Sequence, residues 1–291
     1  MAEDIAPHIE RFREFFESSP KLMESIEILA MNYPERKSIN VDCAELGRFD
    51  YALADSLFDK PDIGIEAARK VVAELGRDKF EGDIAFEPHV RFFNPPMEKE
   101  LLIQDVGSHQ IEKLICLLGV ITKRAEVRPR VKVAVYKCTK CDATQKVPMT
   151  KKSVIPQVCD SCNRRTLALS EENSYFVDLQ KGEVQELLER LHGGAPASHL
   201  EIWLEDDLVN AIVPGDTVEL TGVLRIRPPK QDKGDSYSKY LDVVHVQQIQ
   251  REFEEVEISK DDKERIIELS KDPHIFYNLV KSMAPSIFGN Y

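Results

Sequence analysis

Apolar residues are spaced for helices near the amino terminus of the chain. The first of them recur at steps of four, three and four, which places them on one helix face: Ile5, Ile9, Phe12 and Phe16. Ser19-Pro20 has the form of a helix start and Pro34 ends the same stretch, so a second helix is predicted to about Tyr33. Two more helices are predicted at about 51–58 and 61–75, after an extended piece around residues 39–41. We expect a helical bundle over residues 1–88.

After Gly82 the pattern changes to short runs of apolar and β-branched residues that are typical of strands. These runs are 90–93, 114–122, 131–136, 175–179, 200–204, 217–226 and 240–246. Between them, residues 183–191 have a helical pattern. Several short strands of this kind predict a small Greek-key barrel such as an OB-fold. We assign the barrel to residues 89–131 and 169–252, separated by an insertion at 132–168, and the fold class is multidomain α+β.

A long β-hairpin is predicted where the strand pattern stops at Ile226 and resumes at Leu241. The residues between are polar and rich in turn formers. Cations outnumber Asp232 and Asp235 in this hairpin; they are Arg225, Arg227, Lys230, Lys233 and Lys239. On the sequence alone, an ordinary exposed loop and a finger that contacts nucleic acid are equally good interpretations.

The carboxyl-terminal residues 253–291 are predicted to form a helical linker. Ser259-Lys260-Asp261-Asp262 resembles a capping box for a helix that ends near Ser270, and a second helix is expected from about Pro273 to before Pro285. The chain stops at Tyr291 in the middle of an apolar pattern, so we expect a longer parent protein that continues beyond it.

Four cysteines form two Cys-x-x-Cys pairs inside the insertion: Cys138, Cys141, Cys159 and Cys162. Two such pairs can supply four thiolates to one tetrahedral zinc ion, which leaves no open coordination position. The 17 residues 142–158 are long enough for a short β-hairpin between the pairs. The spacing therefore predicts a zinc ribbon with one structural zinc per chain.

Two other interpretations of the cysteines were weighed, namely four unrelated thiols and two disulfides of a secreted domain. No apolar signal-like segment precedes Ile5, which favours a reducing, intracellular compartment and argues against disulfides. Cys43 and Cys116 have no partner at ligand spacing and are expected to be buried thiols.

Charge is distributed unevenly along the chain. The formal net charge of the 291 residues is −12, which argues against coating nucleic acid with the whole surface. Residues 123–152, however, contain ten basic residues against two acidic ones. A solvated charged face explains most such runs, but beside a zinc ribbon a surface for polyanions becomes the better hypothesis. No membrane segment is expected.

Several of these segments resemble the amino-terminal half of the archaeal minichromosome maintenance (MCM) replicative helicase. The resemblance covers nearly the whole chain, and the segments that carry it are 119–129 (GVITKRAEVRP), 136–138 (YKC), 204–208 (LEDDL), 214–216 (PGD) and 282–289 (SMAPSIFG). It implies a helical domain, an OB-fold and a zinc ribbon that together form one collar of a hexameric ring or double hexamer, with replication factors as further partners. It also implies an intracellular protein of the archaeal cytoplasm or nucleoid.

The resemblance also assigns roles to residues. Single- or double-stranded DNA is expected to contact the barrel through Lys123, Arg124, Arg128 and Arg130, and the hairpin through Arg225, Arg227, Lys230, Lys233 and Lys239. A loop that communicates between subunits is expected at Leu191, His192, Gly193, Gly194, Ala195, Pro196 and His199. From residue pattern alone, that loop is a connector as readily as a gate.

No Gly-x-x-x-x-Gly-Lys-Ser/Thr stretch occurs in the sequence, so we expect these residues not to hydrolyse ATP and assign no catalytic residue. ATP and Mg²⁺ are expected in an AAA+ motor domain after Tyr291. The alternative function is a freestanding single-stranded-DNA-binding protein with an OB-fold and a zinc ribbon. A zinc hydrolase is disfavoured because four thiolates leave no position for water, and a purely structural adaptor stays open.

Overall fold

The computed structural model describes residues 5–80, 82, 85–149, 155–190, 197–229, 235–249 and 260–283. The chain divides into two compact units, residues 1–249 and 250–291. The α-helices are α1 (Ala6–Ser18), α2 (Pro20–Met31), α3 (Cys43–Phe49), α4 (Tyr51–Asp59), α5 (Pro61–Gly76), α6 (Lys260–Leu269) and α7 (Ile275–Met283). None of the helices in these ranges has the length and apolar character that a bilayer crossing needs.

Helices α1 to α5 form the predicted amino-terminal bundle around an aromatic and aliphatic core. Phe12, Phe16 and Leu29 are fully buried in it, which confirms the helical spacing of the first apolar residues. Helix α3 was not predicted. It has only seven residues, and its signal is local, because the Asp42 carboxylate accepts the Ala44 N–H at its start (2.7 Å).

The first predicted strand of the barrel belongs to the bundle instead. Strand β2 (His89–Phe93) pairs in parallel with β1 (Ser38–Asp42), and Phe92 is buried among the helices. The residue pattern of a strand does not indicate which other strand it pairs with. The boundary predicted after residue 88 therefore falls before a strand of the bundle.

A closed five-stranded barrel follows. The remaining strands are β3 (Glu100–Leu101), β4 (Leu114–Arg124), β5 (Arg128–Cys138), β6 (Thr144–Pro148), β7 (Leu167–Leu169), β8 (Tyr175–Glu186), β9 (His199–Glu205), β10 (Thr217–Arg227) and β11 (Ser238–Gln248). The order β4-β10-β11-β9-β8 closes because β8 also pairs with β4. Strands β9 and β11 are parallel, and the other pairs of this ring are antiparallel. Closure leaves no unpaired edge in the ring, as in an OB-fold.

The helical pattern predicted at residues 183–191 is wrong. Strand β8 runs to Glu186, and Leu188–Arg190 form a single 3-10 turn. Buried positions alternate along β8 at Gln180, Gly182 and Val184, which is the period of a strand. Pairing with three neighbouring strands outweighs the helix propensity of the local residues.

The insertion extends from the barrel on strand β5. Both β6 and β7 pair with β5, so the expected hairpin within residues 142–158 is wrong in its pairing. Of that stretch, the described part contains β6 alone, and Val154 lies outside the described residues. The hairpin of β10 and β11 is confirmed, with Arg227 opposite Ser238 at the last pair before the tip.

Candidate metal centre and nucleic-acid interface

Each Cys-x-x-Cys pair lies in a tight turn, and the two turns have the same backbone geometry. The N–H of the first cysteine, Cys138 or Cys159, donates to the carbonyl five residues later at 2.9 Å in both turns. Asp142 and Asn163 directly follow the second cysteines, and both have a φ of 55°. Asp and Asn tolerate this left-handed conformation better than other residues with a side chain. The local sequence thus forms two matched turns that present thiols to one point.

The four thiols meet in one cluster. All four Sγ atoms lie within 4.8 Å of one another, and the Sγ atoms of Cys138 and Cys162, and of Cys141 and Cys159, are 3.6 Å apart. Zinc bound tetrahedrally by thiolates, with Zn–S of about 2.3 Å, separates the sulfurs by about 3.8 Å. The cluster fits a closed four-thiolate metal site, as the spacing predicted.

Backbone and hydroxyl groups favour thiolates at this site. The Thr166 hydroxyl lies 3.1 Å from Cys138 Sγ and, with the Lys140 N–H, lowers the pKa of Cys138 to about 6. The N–H groups of Cys162 and Ser161 lower the pKa of Cys159 in the same way. Thiolate is the form that binds a metal, so these groups favour the metal-binding form of Cys138 and Cys159. The backbone of Ala143 lowers the pKa of Cys141, but hydrogen bonds to the neighbouring thiols outweigh it and raise that pKa to about 12. Cys43 and Cys116 are buried outside the cluster, as expected, and burial raises the pKa of each thiol to about 12.

The basic residues predicted on the barrel differ in how they are paired. Lys123 Nζ contacts Glu183 Oε1 at 3.0 Å, and Arg130 contacts Glu205 Oε1 at 2.8 Å. Lys123, with the Thr122 hydroxyl, holds the pKa of Glu183 below its usual value. These cations already have carboxylate partners, which a phosphate group would need to displace.

Arg124 and Arg128 lie on either side of the turn between β4 and β5 and are both exposed. Arg124 donates to the Ile212 carbonyl at 3.2 Å. Among the residues described, neither arginine contacts a carboxylate. Their charges are the ones most available to an anion on this side of the barrel.

Arg225, which was predicted to contact DNA, does not face an open surface. Its side chain is 6% exposed and bridges the carboxylates of Asp62 in α5 and Glu112, with Asp242 at 3.6 Å. Burial lowers its pKa, but the Asp62 carboxylate more than offsets this and raises it. Arg225 joins the barrel to the helical bundle.

The other predicted hairpin cations lie at its base or outside the described residues. Arg227 contacts Glu201 Oε2 at 3.4 Å, and Lys239 donates to the Val106 carbonyl. Lys230 and Lys233 lie outside the described residues, as do Lys151 and Lys152 of the basic stretch.

An aromatic pair on the outer face of the barrel was not predicted as part of an interface. Trp203 on β9 stacks on Tyr240 of β11 with centroids 4.1 Å apart. Lys181 Nζ lies 4.3 Å from the Trp203 centroid and 3.2 Å from Glu201 Oε1. Trp203 Nε1 also donates to Glu201 at 2.6 Å. Alternation along β9, with Ile202 buried inside, was the available signal for an outward tryptophan.

This outer face, which we call the platform face, extends across five strands, β5, β8, β9, β10 and β11. It contains Trp203, Tyr240, Lys181, Arg227 and Arg130 with the carboxylates Glu201 and Glu205. Burial raises the pKa of Glu201, but Trp203 and Lys181 outweigh it and hold that pKa below its usual value. Aromatic rings between cations are suited to a flexible polyanion with planar bases.

The predicted communication loop is described only at its ends. Leu191, His192, Gly193, Gly194, Ala195 and Pro196 lie outside the described residues. His199 begins β9, and its Nδ1 lies 3.4 Å from Glu183 Oε1. The Glu186 N–H donates to the Ser198 carbonyl at 3.0 Å and closes the base of the loop.

Comparison with known proteins gives one family throughout. The family model described as "MCM OB domain" matches residues 102–228. The chain is 34% identical over 213 residues to the minichromosome maintenance protein MCM of Saccharolobus solfataricus, covering 70% of this chain and 31% of that protein. It is 25% identical over 287 residues to the DNA replication licensing factor mcm4 of Xenopus tropicalis, covering 93% of this chain and 33% of that protein. It thus spans about a third of the length of these curated relatives.

A solved structure matches nearly the full described fold. The crystal structure of the N-terminal domain of an archaeal MCM superposes with a TM-score of 0.69 at 27% identity. The match covers 84% of this chain and 99% of that structure.

Proposed function

The chain belongs to the MCM family as an amino-terminal region, and from this premise we propose that it is the DNA-binding and ring-assembly collar of a replicative helicase. A hexamer or double hexamer is the proposed assembly, with replication factors as further partners. Helicase activity driven by ATP and Mg²⁺ is proposed for the whole parent protein, acting on DNA inside the cell. A catalytic role is not proposed for these residues.

The observation that carries the proposal is the combination of the platform face with the two exposed arginines at the turn between β4 and β5. Arg124 and Arg128 are charged and without carboxylate partners in the described ranges, so a phosphate can approach them at little electrostatic cost. Trp203 is partly exposed, and a base can stack on its ring by displacing Lys181, while the buried Tyr240 packs against the ring and supports it. The combination favours single-stranded DNA, because bases in a duplex are already stacked on each other.

Binding of this kind is driven by the release of counterions from the DNA. Each phosphate contact contributes a slope of about −0.7 in log affinity against log salt for a single strand. Stacking on the aromatic pair tolerates any base. We therefore propose weak sequence preference and a steep loss of affinity with salt.

We propose that the four thiols hold one structural zinc ion and that the ribbon serves assembly rather than chemistry. Four thiolates complete a tetrahedral site and leave no position for an activated water. The ribbon projects from the barrel on β5, and Leu169 and Ile155 are exposed on it. Exposed apolar residues of this kind suit a contact with another protein chain.

The alternative is a freestanding single-stranded-DNA-binding protein, which would share the platform face but need no ring. Light scattering of the zinc-loaded protein at low and high salt separates the two. A mass of about six or about twelve chains supports the collar. A monomer at every concentration tested contradicts the assembly part of the proposal and favours the alternative.

A further inference from the structure

Residues 100–106, just before β4, form a short segment that we call the bridge segment. It contacts residues 186–190 at the end of β8 and the base of the hairpin formed by β10 and β11. Glu100 and Leu101 form β3, which pairs in parallel with β4, and a 3-10 turn follows at Ile103–Asp105. Ile103 and Val106 are buried in the barrel core. Core packing therefore fixes the segment as a unit rather than leaving it as a loose strap.

One side of the bridge segment is bound to the end of β8. Glu186 is 1% exposed, and its Oε2 accepts the Ile103 N–H. Glu186 Oε1 is buried with no hydrogen-bond partner in the described part of the chain. Burying a carboxylate oxygen without a hydrogen bond costs free energy of folding, so the contact with Ile103 has to offset that cost. Nearby, Arg190 NH1 contacts Glu100 Oε1 at 2.6 Å.

The other side of the bridge segment is bound to the hairpin base. Lys239 Nζ donates to the carbonyl of Val106, which is three residues after Ile103, the residue whose N–H binds Glu186. Lys239 pairs with Ile226 across the hairpin, and the next residue, Tyr240, stacks on Trp203. A shift of the Val106 carbonyl would therefore change the support of the hairpin and of the aromatic pair.

We propose that the bridge segment couples residues 186–190 at the end of β8 to residues 238–240 at the base of the hairpin. The coupling has a defined route: Arg190 and Glu186 to the bridge segment, and the bridge segment to Lys239. A change in the position of β8's end is transmitted to the hairpin, and DNA on the hairpin restrains β8's end in return, because coupling between two sites is reciprocal. The proposal rests on the proposed function only where it places DNA at the hairpin.

Hydrogen exchange of the whole chain without DNA tests the coupling directly. Arg190→Gln cuts the contact at one end, and Lys239→Met removes the donor at the other while keeping the aliphatic length. We expect each variant to speed exchange by at least about twofold at both ends, 186–190 and 238–242, since couplings of this type modulate stability by about 0.5 kcal/mol or more. Lys137→Met, which cuts the surface pair with Asp142 in the ribbon, is the matched control and leaves both ends unchanged.

Exchange that rises only at the end carrying the substitution overturns the coupling. Exchange that rises at neither end overturns it as well, because the contacts would then hold nothing in place. The outcome is independent of the proposed function, which is tested separately by adding single-stranded oligonucleotide to the unaltered protein. If exchange rises at both ends but the oligonucleotide does not bind, the coupling through the bridge segment stands and the proposed DNA-binding function is rejected.

Discussion

Arg225 of β10 and Asp62 of α5 form an ion pair that joins the barrel to the helical bundle. The guanidinium donates to Asp62 Oδ2 at 3.0 Å, and its side chain is 6% exposed while that of Asp62 is 68% exposed. The cation is therefore the buried member of the pair. Its removal leaves carboxylates that water can reach, which limits the cost of losing it.

Arg225→Met is expected to lower the free energy of unfolding by about 1–3 kcal/mol. Burial makes the loss larger than for a surface pair, and the exposure of Asp62 keeps it below the cost of a fully buried pair. Urea unfolding followed by circular dichroism measures it. Arg128→Met is the matched control, exposed and unpaired in the described chain, and should leave the unfolding free energy unchanged within about 0.5 kcal/mol. Equal effects of the two variants would contradict the buried role of Arg225.

Cys159→Ser is expected to reduce bound zinc from about one ion per chain to a small fraction. A hydroxyl is a poor replacement for a thiolate at a four-thiolate site. Metal analysis of the purified chain measures the stoichiometry. Cys116→Ala changes a buried thiol outside the cluster and should keep the zinc. Full zinc content in Cys159→Ser would refute the site.

The sole tryptophan gives a direct report on the platform face. Titration with an oligothymidylate is expected to quench Trp203 fluorescence, because a stacked base alters the environment of the ring. Trp203→Ala should weaken binding by about 5- to 150-fold, the range for losing one stacked base, and Trp203→Phe should retain most of the affinity. If the unaltered protein binds the oligonucleotide without quenching, and Trp203→Ala binds it with the same affinity, the DNA lies elsewhere on the protein.

Stability is expected to fall between about pH 6.5 and about pH 4 through His245. Its ring lies 5.3 Å from Phe93, and burial, with Arg91 nearby, lowers its pKa to about 4. In the unfolded chain the pKa of histidine is about 6.5, so in this window the unfolded state binds the proton and the folded state does not. Stability is therefore present above about pH 6.5 and lost as pH falls, by an amount on the order of 2–3 kcal/mol.

Urea unfolding at about pH 7.5 and about pH 5 measures this loss. His245→Gln removes the titrating group but keeps the zinc ribbon, so its stability should fall less across the same interval. Parallel curves for the two proteins would show that His245 contributes nothing to the pH dependence.

Local patterns in the sequence predicted the four-thiol cluster and most of the described helices, because their signals lie within a few residues. The cysteine pairs specify their own turns, with Asp142 and Asn163 at the left-handed positions. The apolar spacing from Ile5 to Phe16 likewise needs no distant partner. These features could be derived without the fold.

Features that depend on distant partners were the ones missed. The sequence around Arg225 does not indicate that its side chain is buried. Its partner Asp62 in α5 lies 163 residues away in the chain. Residues 183–186 have helix-forming side chains, yet β4 and β9 supply strand partners on both sides. The pairing of Trp203 with Tyr240 joins β9 to β11 across some 37 residues, which no local pattern indicates.

Single-stranded DNA affinity as a function of salt tests the central claim most directly. Arg124→Ala with Arg128→Ala should weaken binding at every salt concentration and make the log-log slope shallower by about 1.4, for two lost phosphate contacts, without unfolding the chain. Lys70→Ala with Lys79→Ala removes the same charge from the helical bundle and should leave both quantities nearly unchanged. If the arginine pair and the lysine pair lower the affinity equally, or if the slope is unchanged, the barrel is not the DNA-binding surface.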